Sequence, residues 1–215
     1  MVHFKTVSSA FGVLAMSFCT PVWAQDAPQT YTVQSPQTQL AVLVRYDRGA
    51  LIAGHDHVIQ TQHSKGTIIW NPNNASQCSV SLSFPVLTLD VDPEGSRIRH
   101  GLKGQTSEGD KRKIKANMLG KQQLHAEQFP EIRYTAKTCV TKGERVHVTG
   151  DLTLRGVTKT VTSLLDITVT DGTFHAKGEF RATHDDFDMK PFTALAGALR
   201  NDNPLRFFLE VTAAP

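Results

Sequence analysis

The stretch RVHVTGDLTLRGVTKTVTSLLDITVT, residues 145–170, decides how this chain folds. Apolar and polar residues alternate from Arg145 to Leu154 and again from Thr158 to Thr170, and this period of two is typical of β-strands with one buried face. Arg155-Gly156 lies between them, and short turns of this kind join antiparallel neighbours. Gly156 can take the positive φ that a tight turn needs. The stretch therefore predicts a β-hairpin.

The same alternation recurs on both sides of the hairpin. It predicts further strands at 40–46, Val58 to Trp70, Gln77 to Val91, Ile132 to Val140, Thr173 to Thr183 and Leu205 to Thr212. About eight strands are enough to close a small antiparallel barrel whose interior holds side chains or one ligand. Between the strands, 92–110 reads as a loop, Asp110 to His125 as a helix and 187–203 as a short amphipathic turn. The predicted fold class is therefore all-β, a barrel with one or two short helices.

The inward face of the predicted barrel is apolar. Its lining candidates are Val42, Val44, Val80, Leu82, Phe84, Leu164, Ile167, Phe180 and Phe207. A long hydrocarbon held there would gain ~0.8 kcal/mol for each buried methylene. The alternation alone leaves open whether these side chains surround a hollow or fill the interior.

The first two dozen residues have the three parts of a secretory signal peptide. Lys5 is the only charged residue before Asp26, an apolar stretch covers 11–18, and Ala24 ends a small-residue cleavage site. The apolar run is too short to span a bilayer as a helix. We expect residues 1–24 to be removed and 25–215 to form one domain, periplasmic or secreted, with no transmembrane segment.

The charge of the chain gives little reason to expect a nucleic-acid partner. The formal net charge is only +3, whereas a nucleic-acid binder shows a basic stripe with aromatic residues beside it. The densest basic run, Lys111-Arg-Lys-Ile-Lys115, is short and lacks aromatic neighbours. We interpret it as the solvated face of a helix.

Two cysteines remain after the predicted cleavage site, Cys78 and Cys139. In an oxidising compartment an isolated pair favours a disulfide over a metal or catalytic site. The alternative is two separate buried thiols.

Several motifs together resemble one known family. Gly150-Asp-Leu-Thr-Leu-Arg-Gly-Val-Thr-Lys159 is similar to the hairpin signature of the YceI-like family, with supporting matches at 129–132, Asp186-Phe187 and 201–205. The resemblance covers roughly residues 30–213. It implies a lipocalin-like barrel in the periplasm that binds a polyisoprenoid or other long-chain amphiphile and often forms a homodimer. The chain departs from the family pattern at His184, at Asp188 and at Gly54-His55-Asp56-His57, where a single His is more common.

His55 and His57 are the main candidates for chemistry. Two positions apart on an extended backbone, they project to the same face, as two ligands of one metal must. The available third ligands are His63, His125, His184, Asp185 and Asp186. The other interpretation, which we favour, places His55, His57 and His184 at the barrel mouth, where they meet a polar head group.

The sequence thus predicts a binding protein rather than an enzyme, and the bound group that we expect is a lipid and not a metal. No Gly-x-Ser-x-Gly elbow is present. A first alternative is a metal-binding protein or metal-dependent hydrolase centred on His55 and His57. A second is a structural protein with a filled barrel and an exposed apolar patch near 192–199.

Overall fold

A computed structural model describes Met1 and residues 27–215, so the predicted signal peptide lies outside the described residues apart from Met1. Its strands are β1 Gln29–Val33, β2 Gln39–Tyr46, β3 His57–Thr61, β4 Lys65–Trp70, β5 Ser79–Pro85, β6 Asp90–Val91, β7 Glu131–Lys142, β8 Arg145–Leu154, β9 Val157–Thr170, β10 Thr173–Thr183, β11 Thr193–Ala194 and β12 Leu199–Ala214. The α-helices are α1 Ser96–Arg99 and α2 Glu108–Leu119, and the 3₁₀-helices are Ala75–Gln77, Val86–Thr88, Asp185–Phe187 and Leu195–Gly197.

The sheet closes on itself as an eight-stranded antiparallel barrel. Neighbours run in the order β1, β4, β5, β7, β8, β9, β10 and β12, and β12 pairs with β1 at Thr32 and Ala214 to complete the ring. Three strands have a second segment at one end of the barrel: β2 extends β1, β3 extends β4, and β6 extends β5. At that end β2 pairs with β12, and β3 pairs with both β2 and β6. The predicted fold class is confirmed, with three of the eight strands each broken into two segments.

The two predicted irregular regions contain more regular structure than expected. The stretch 92–110, read as a loop, includes α1, and the stretch 187–203, read as a short amphipathic turn, includes β11 and the start of β12. The predicted helix Asp110 to His125 is observed as α2, which begins at Glu108 and ends at Leu119. The start of α2 is capped by Ser107, whose Oγ accepts a hydrogen bond of 3.1 Å from Asp110 N. Among the described residues, no helix is long and apolar enough to cross a membrane.

The half of the barrel away from α2 is packed by aromatic side chains. The rings of Phe180 and Phe207 stack at 4.5 Å, and the ring of Phe174 lies 5.5 Å from Tyr31 and 6.1 Å from Trp70. The cavity left among these residues has a volume of only about 50 Å³. This half therefore holds side chains rather than a ligand.

A second, smaller apolar cluster lies on the outside of the barrel. Ala41, Leu43 and Val58 are buried there against Leu102 and Phe208. Leu102 follows α1, so the segment around this helix covers the outer face of β2 and β3. This cover fixes the position of the neighbouring loop that reaches the barrel mouth.

The glycines of the hairpin motif have steric roles. A Cβ at Gly150 would lie 2.5 Å from Thr135 O and 2.6 Å from Tyr134 Oη, so only glycine allows this approach. Gly156 has a φ of +75° in the turn between β8 and β9, as predicted, and the ring of Phe129 packs against it.

The predicted disulfide between Cys78 and Cys139 is present, with a Cα–Cα distance of 6.1 Å. Cys78 precedes β5 and Cys139 lies in β7, and these two strands are neighbours in the barrel. The bridge therefore joins adjacent strands near the packed end.

Candidate functional site

The other half of the barrel encloses an open cavity of about 750 Å³. Volumes of about 300–1,000 Å³ are usual for small-molecule sites. Its inner wall is apolar and is formed by Val42, Val44, Ile59, Leu89, Ile132, Leu154, Leu205 and Phe207, with Met118, Leu124 and Met189 closer to α2. Its mouth is polar and includes His55, Lys103, Gln105, Asp110, Lys113, Asn117 and Asn201.

The predicted lining residues divide between the two halves of the barrel. Val42, Val44 and Phe207 line the large cavity. Val80, Leu82, Phe84, Ile167 and Phe180 surround the small cavity of the packed half, where Phe207 also contributes. Ile132 and Phe207 border both cavities and so form the floor between them.

The prediction for Leu164 is wrong. Its neighbour Leu165 is buried and lines the small cavity, on the same face of β9 as the buried Val161 and Ser163. Because side chains alternate along a strand, Leu164 points to the outer face.

The hollow is short. Along β2 it extends from Tyr46 to Val42, four residue steps that span ~13 Å at the usual strand rise. Below Val42 the interior is filled by the aromatic side chains described above. The barrel is hollow at one end and packed at the other.

His57 lies on the cavity wall and is held by a buried carboxylate. Its Nδ1 is 2.7 Å from Asp92 Oδ2, and Asp92 also accepts hydrogen bonds from Val58 N at 2.8 Å, Arg97 Nη1 at 3.0 Å and Thr106 Oγ1 at 2.6 Å. The side chain of Asp92 is 0% exposed. An ionised carboxylate only accepts hydrogen bonds, so Nδ1 of His57 is the donor and Nε2 is left for the cavity.

The hydrogen bonds decide the charge of Asp92. Burial raises the pKa of this carboxyl, but the hydrogen bonds from His57, Thr106 and Val58 together outweigh burial and lower its pKa to about 2. Asp92 is therefore ionised and keeps the ring of His57 in one tautomer and one orientation.

Arg97 connects this carboxylate to the loops at the mouth. Besides Asp92, its guanidinium donates to the carbonyl oxygens of Asp56 at 2.8 Å, Lys103 at 2.6 Å and Gly104 at 3.0 Å. All four of these partners are acceptors within the protein. Arg97 therefore braces the mouth and is not left free to bind a ligand.

His184 lines the cavity from the opposite wall. It is buried, and its Nδ1 is 2.9 Å from the carbonyl oxygen of Asn203, which fixes Nδ1 as the donor. Burial lowers the pKa of this imidazole, against smaller opposite effects of the Asn203 hydrogen bond and of Asp185. The ring is neutral at pH 7.

His55 is exposed at the mouth, while Asp56 points away from the cavity, as an extended backbone predicts. Asp56 accepts hydrogen bonds from Tyr46 N at 3.1 Å and from Arg48 Nη2 at 2.7 Å. Across the mouth from His55, a hydrogen bond from Ser107 and the charge of Lys113 lower the pKa of Asp110.

The predicted metal ligands are not brought together. His63, His125, Asp185 and Asp186 are not among the residues that line the cavity. His57 and His184 belong to β3 and to the turn after β10, three strand spacings apart, which is ~14 Å along the wall. Within residues 27–215, no group of three or more His, Cys, Asp and Glu side chains is arranged to hold a metal ion.

Comparison with known proteins agrees with this architecture, a small closed β-barrel. The YceI-like domain matches residues 31–211, and the chain belongs to the YceI-like family.

The relatives are distant. The crystal structure of BcnA from Burkholderia cenocepacia superimposes with a TM-score of 0.62 at 14% identity, covering 85% of this chain and 99% of that chain. The Campylobacter jejuni YCEI protein gives 0.54 at 14% identity, covering 76% and 86%. The UPF0312 protein plu2095 of Photorhabdus laumondii is 28% identical over 96 residues, which are 45% of this chain and 41% of the relative. At these identities the solved structures support the fold.

Proposed function

We propose that this protein is a non-enzymatic carrier for one amphiphile, which it binds in the periplasm after export. The observation that carries the proposal is the half-hollow barrel, with about 750 Å³ of apolar cavity that opens at one end and is closed by Ile132 and Phe207 at the other. The ligand would insert its apolar chain into this end and leave its polar head at the mouth. The site is a dead end and not a tunnel.

The depth of the cavity supports a ligand that is only partly enclosed. Each methylene transferred from water would contribute ~0.8 kcal/mol, so the chain supplies most of the affinity. A polyisoprenoid longer than the ~13 Å between Tyr46 and Val42 would fold back or extend from the mouth. We therefore propose that the ligand either has a short apolar chain or inserts only one end of a longer chain into the cavity.

The polar contacts that we propose for the head group are His57 and His184 within the cavity and His55 at its rim. The ring nitrogens of His57 and His184 that face Asp92 and Asn203 are occupied, which leaves Nε2 of each ring for a ligand. Fixed orienting groups of this kind reduce the entropy lost on binding. Because the two rings lie on opposite walls, a single head group would contact one of them directly.

A pair of adjacent substitutions in β2 tests the proposal. Val44→Trp would fill the cavity, whereas Arg45→Trp places the same side chain on the outer face. We expect purified wild type and Arg45→Trp to release a bound lipid in extraction mass spectrometry and, once delipidated, to take up a fluorescent fatty-acyl probe. Val44→Trp should do neither while remaining folded. Barrels that are empty from several hosts and take up no isoprenoid or fatty-acyl probe would refute the carrier role.

The proposed export has its own test. Expression of the complete chain in a Gram-negative host, followed by periplasmic extraction and intact-mass measurement, should give a protein that begins at Gln25. A full-length protein retained in the cytoplasm would refute export without bearing on ligand binding.

A further inference from the structure

Two uncharged loop tips lie side by side at the cavity mouth. Residues 49–54 read GALIAG and residues 191–199 read PFTALAGAL, and we call the two together the lip. Ile52 N donates a hydrogen bond of 2.9 Å to Ala198 O, which ties one tip to the other. The lip also contributes to the cavity wall through Ala53, Gly54, Phe192 and Leu199. The lip is therefore part of the entrance that a ligand must pass.

The lip exposes three large apolar side chains to solvent. Leu51 is 91% exposed, Ile52 42% and Leu195 65%. Single exposed apolar residues are common on proteins, but a group of them at a ligand entrance marks a contact surface.

The backbone conformation at Leu195 also supports a contact surface at the lip. Leu195 and Ala196 have φ values of +52° and +53°, in the left-handed region that is unfavourable for non-glycine residues. This unfavourable backbone conformation leaves Leu195 65% exposed, so most of its side chain gains nothing from packing against the barrel. A gain on contact with another apolar phase would offset the unfavourable conformation.

The charges around the lip are arranged as a basic collar. Arg48 precedes the first tip, and Lys190 and Arg200 flank the second. Both acidic residues at the base of the first tip are ion-paired with arginine, Asp56 with Arg48 at 2.7 Å and Asp47 with Arg200 at 2.5 Å. The two ion pairs cancel, so the collar has a net charge of +1, from Lys190, and presents no unpaired carboxylate to an anionic lipid surface.

We infer that the lip inserts into a phospholipid bilayer and docks the cavity mouth on the membrane. The inference rests on the proposed carrier function, since a docked mouth would let an apolar chain pass between bilayer and barrel without crossing water. A second copy of the chain fits less well. Stable protein interfaces use roughly 20–30 residues a side, whereas the lip has two narrow tips, and pairing through it would shut the entrance.

Apolar insertion carries the docking more than net charge does. Asp185, Asp186 and Asp188 lie in the turn after β10, which leads into the second tip, and oppose a purely electrostatic attraction. Binding should therefore survive raised salt, which screens exposed charges.

Vesicle flotation tests the inference. The probe is a vesicle of phosphatidylethanolamine and phosphatidylglycerol, and the variant is Leu51→Ser/Ile52→Ser/Leu195→Ser. We expect wild type to float with the vesicles and the variant to bind at least about tenfold more weakly, because fully burying one such side chain is already worth that factor. The matched control is Val140→Ser/Val169→Ser, which removes exposed apolar side chains from strands that lead to the opposite end of the barrel and should bind like wild type.

The outcomes separate docking from carriage. Wild type that holds lipid but does not float overturns docking and leaves the carrier role intact. Wild type that floats through the lip but never contains or takes up a ligand supports docking and refutes the carrier role. A concentration-dependent dimer in analytical ultracentrifugation that the lip variant loses, with no flotation, would make the lip an interface between copies and also overturn docking. Lip variants should still take up the fatty-acyl probe from detergent.

Discussion

His57 Nδ1 lies 2.7 Å from Oδ2 of Asp92, and this hydrogen bond joins a cavity-lining imidazole to a carboxylate with no exposed surface. The two side chains are close because Ile59 of β3 pairs with Val91, the last residue of β6, and Asp92 follows Val91 directly. Burying an ionised carboxylate is unfavourable unless it is paired and hydrogen-bonded, and a barrel filled only with apolar side chains would not need one here. The pair therefore links the stability of the mouth to the orientation of a ring that faces the cavity.

Replacing Asp92 by Asn should destabilise the protein. The pKa of Asp92 is lowered from 3.8 to about 2, which corresponds to a contribution of ~2 kcal/mol to the free energy of unfolding at neutral pH. Because the folded pKa is the lower one, this contribution is complete above pH ~5 and is lost as the pH falls toward 2. Urea unfolding of Asp92→Asn at pH 7 should show a loss of this size, and the difference from wild type should shrink between pH ~5 and 2.

Asp90→Asn is the matched control for that experiment. Asp90 is exposed in the same short strand and pairs with Lys115 at 2.8 Å. A surface ion pair contributes ~0–1 kcal/mol, so its removal should change little. Equal losses in the two variants would contradict the special role of the buried carboxylate.

Replacing His57 by Leu should weaken binding of a ligand with a polar head but not of a plain hydrocarbon. One hydrogen bond contributes ~0.5–1.5 kcal/mol, so the affinity for a fatty alcohol should fall about threefold to tenfold. Fluorescence competition with a fatty alcohol and an alkane of equal length measures the difference. His63→Leu, at an exposed position that does not line the cavity, is the control. A parallel loss for alcohol and alkane would indicate a change of cavity shape only.

The sequence predicted the hairpin better than the first half of the chain, for a local reason. Alternation is unbroken in β8 and interrupted in β9 only at the adjacent Leu164 and Leu165, and the structure places both strands within one residue of the prediction. The predicted strand Val58 to Trp70 is broken in two because Thr61 Oγ1 accepts a hydrogen bond of 3.0 Å from His63 N. A local bond between side chain and backbone competes with the sheet and leaves no trace in the alternation.

The site was only partly predictable. His55, His57 and His184 do reach the cavity, but Asp92, Arg97 and Thr106 were missed because their contacts depend on chain pairing over 35, 41 and 14 residues respectively. Leu164 was placed on the wrong face because it is adjacent to Leu165, and the apolar–polar pattern allows either leucine to face inward. Only the pairing of β9 with β8 and β10 determines which of the two does so. The hollow itself follows from side-chain packing in three dimensions, which periodicity does not encode.

Mild acid should destabilise the protein through the buried His184 and the half-buried His100. Burial lowers the pKa of His184 and of His100 below the ordinary value of 6.5. The unfolded chain then binds protons more readily than the folded one, so the free energy of unfolding falls as the pH drops below ~6.5. Urea unfolding at pH 7 and pH 5.5 should show this fall, and His184→Gln and His100→Gln should each reduce it. His63→Gln is the exposed control, and an unchanged fall in both the His184 and the His100 variant would contradict the explanation.

Reduction of the Cys78–Cys139 disulfide should cost more stability than any single substitution above. The bridge closes a loop between residues 61 positions apart, and loop-closure entropy gives a contribution of roughly 4 kcal/mol as an upper value. Thermal unfolding with and without a phosphine reductant should show a large drop in melting temperature for wild type. Cys78→Ser/Cys139→Ser should melt at the reduced wild-type temperature and be insensitive to reductant. If reductant left wild type unchanged while mass measurement proved the thiols free, the bridge would not stabilise the packed end, and the aromatic cluster of Phe174, Phe180 and Phe207 would have to hold that end alone.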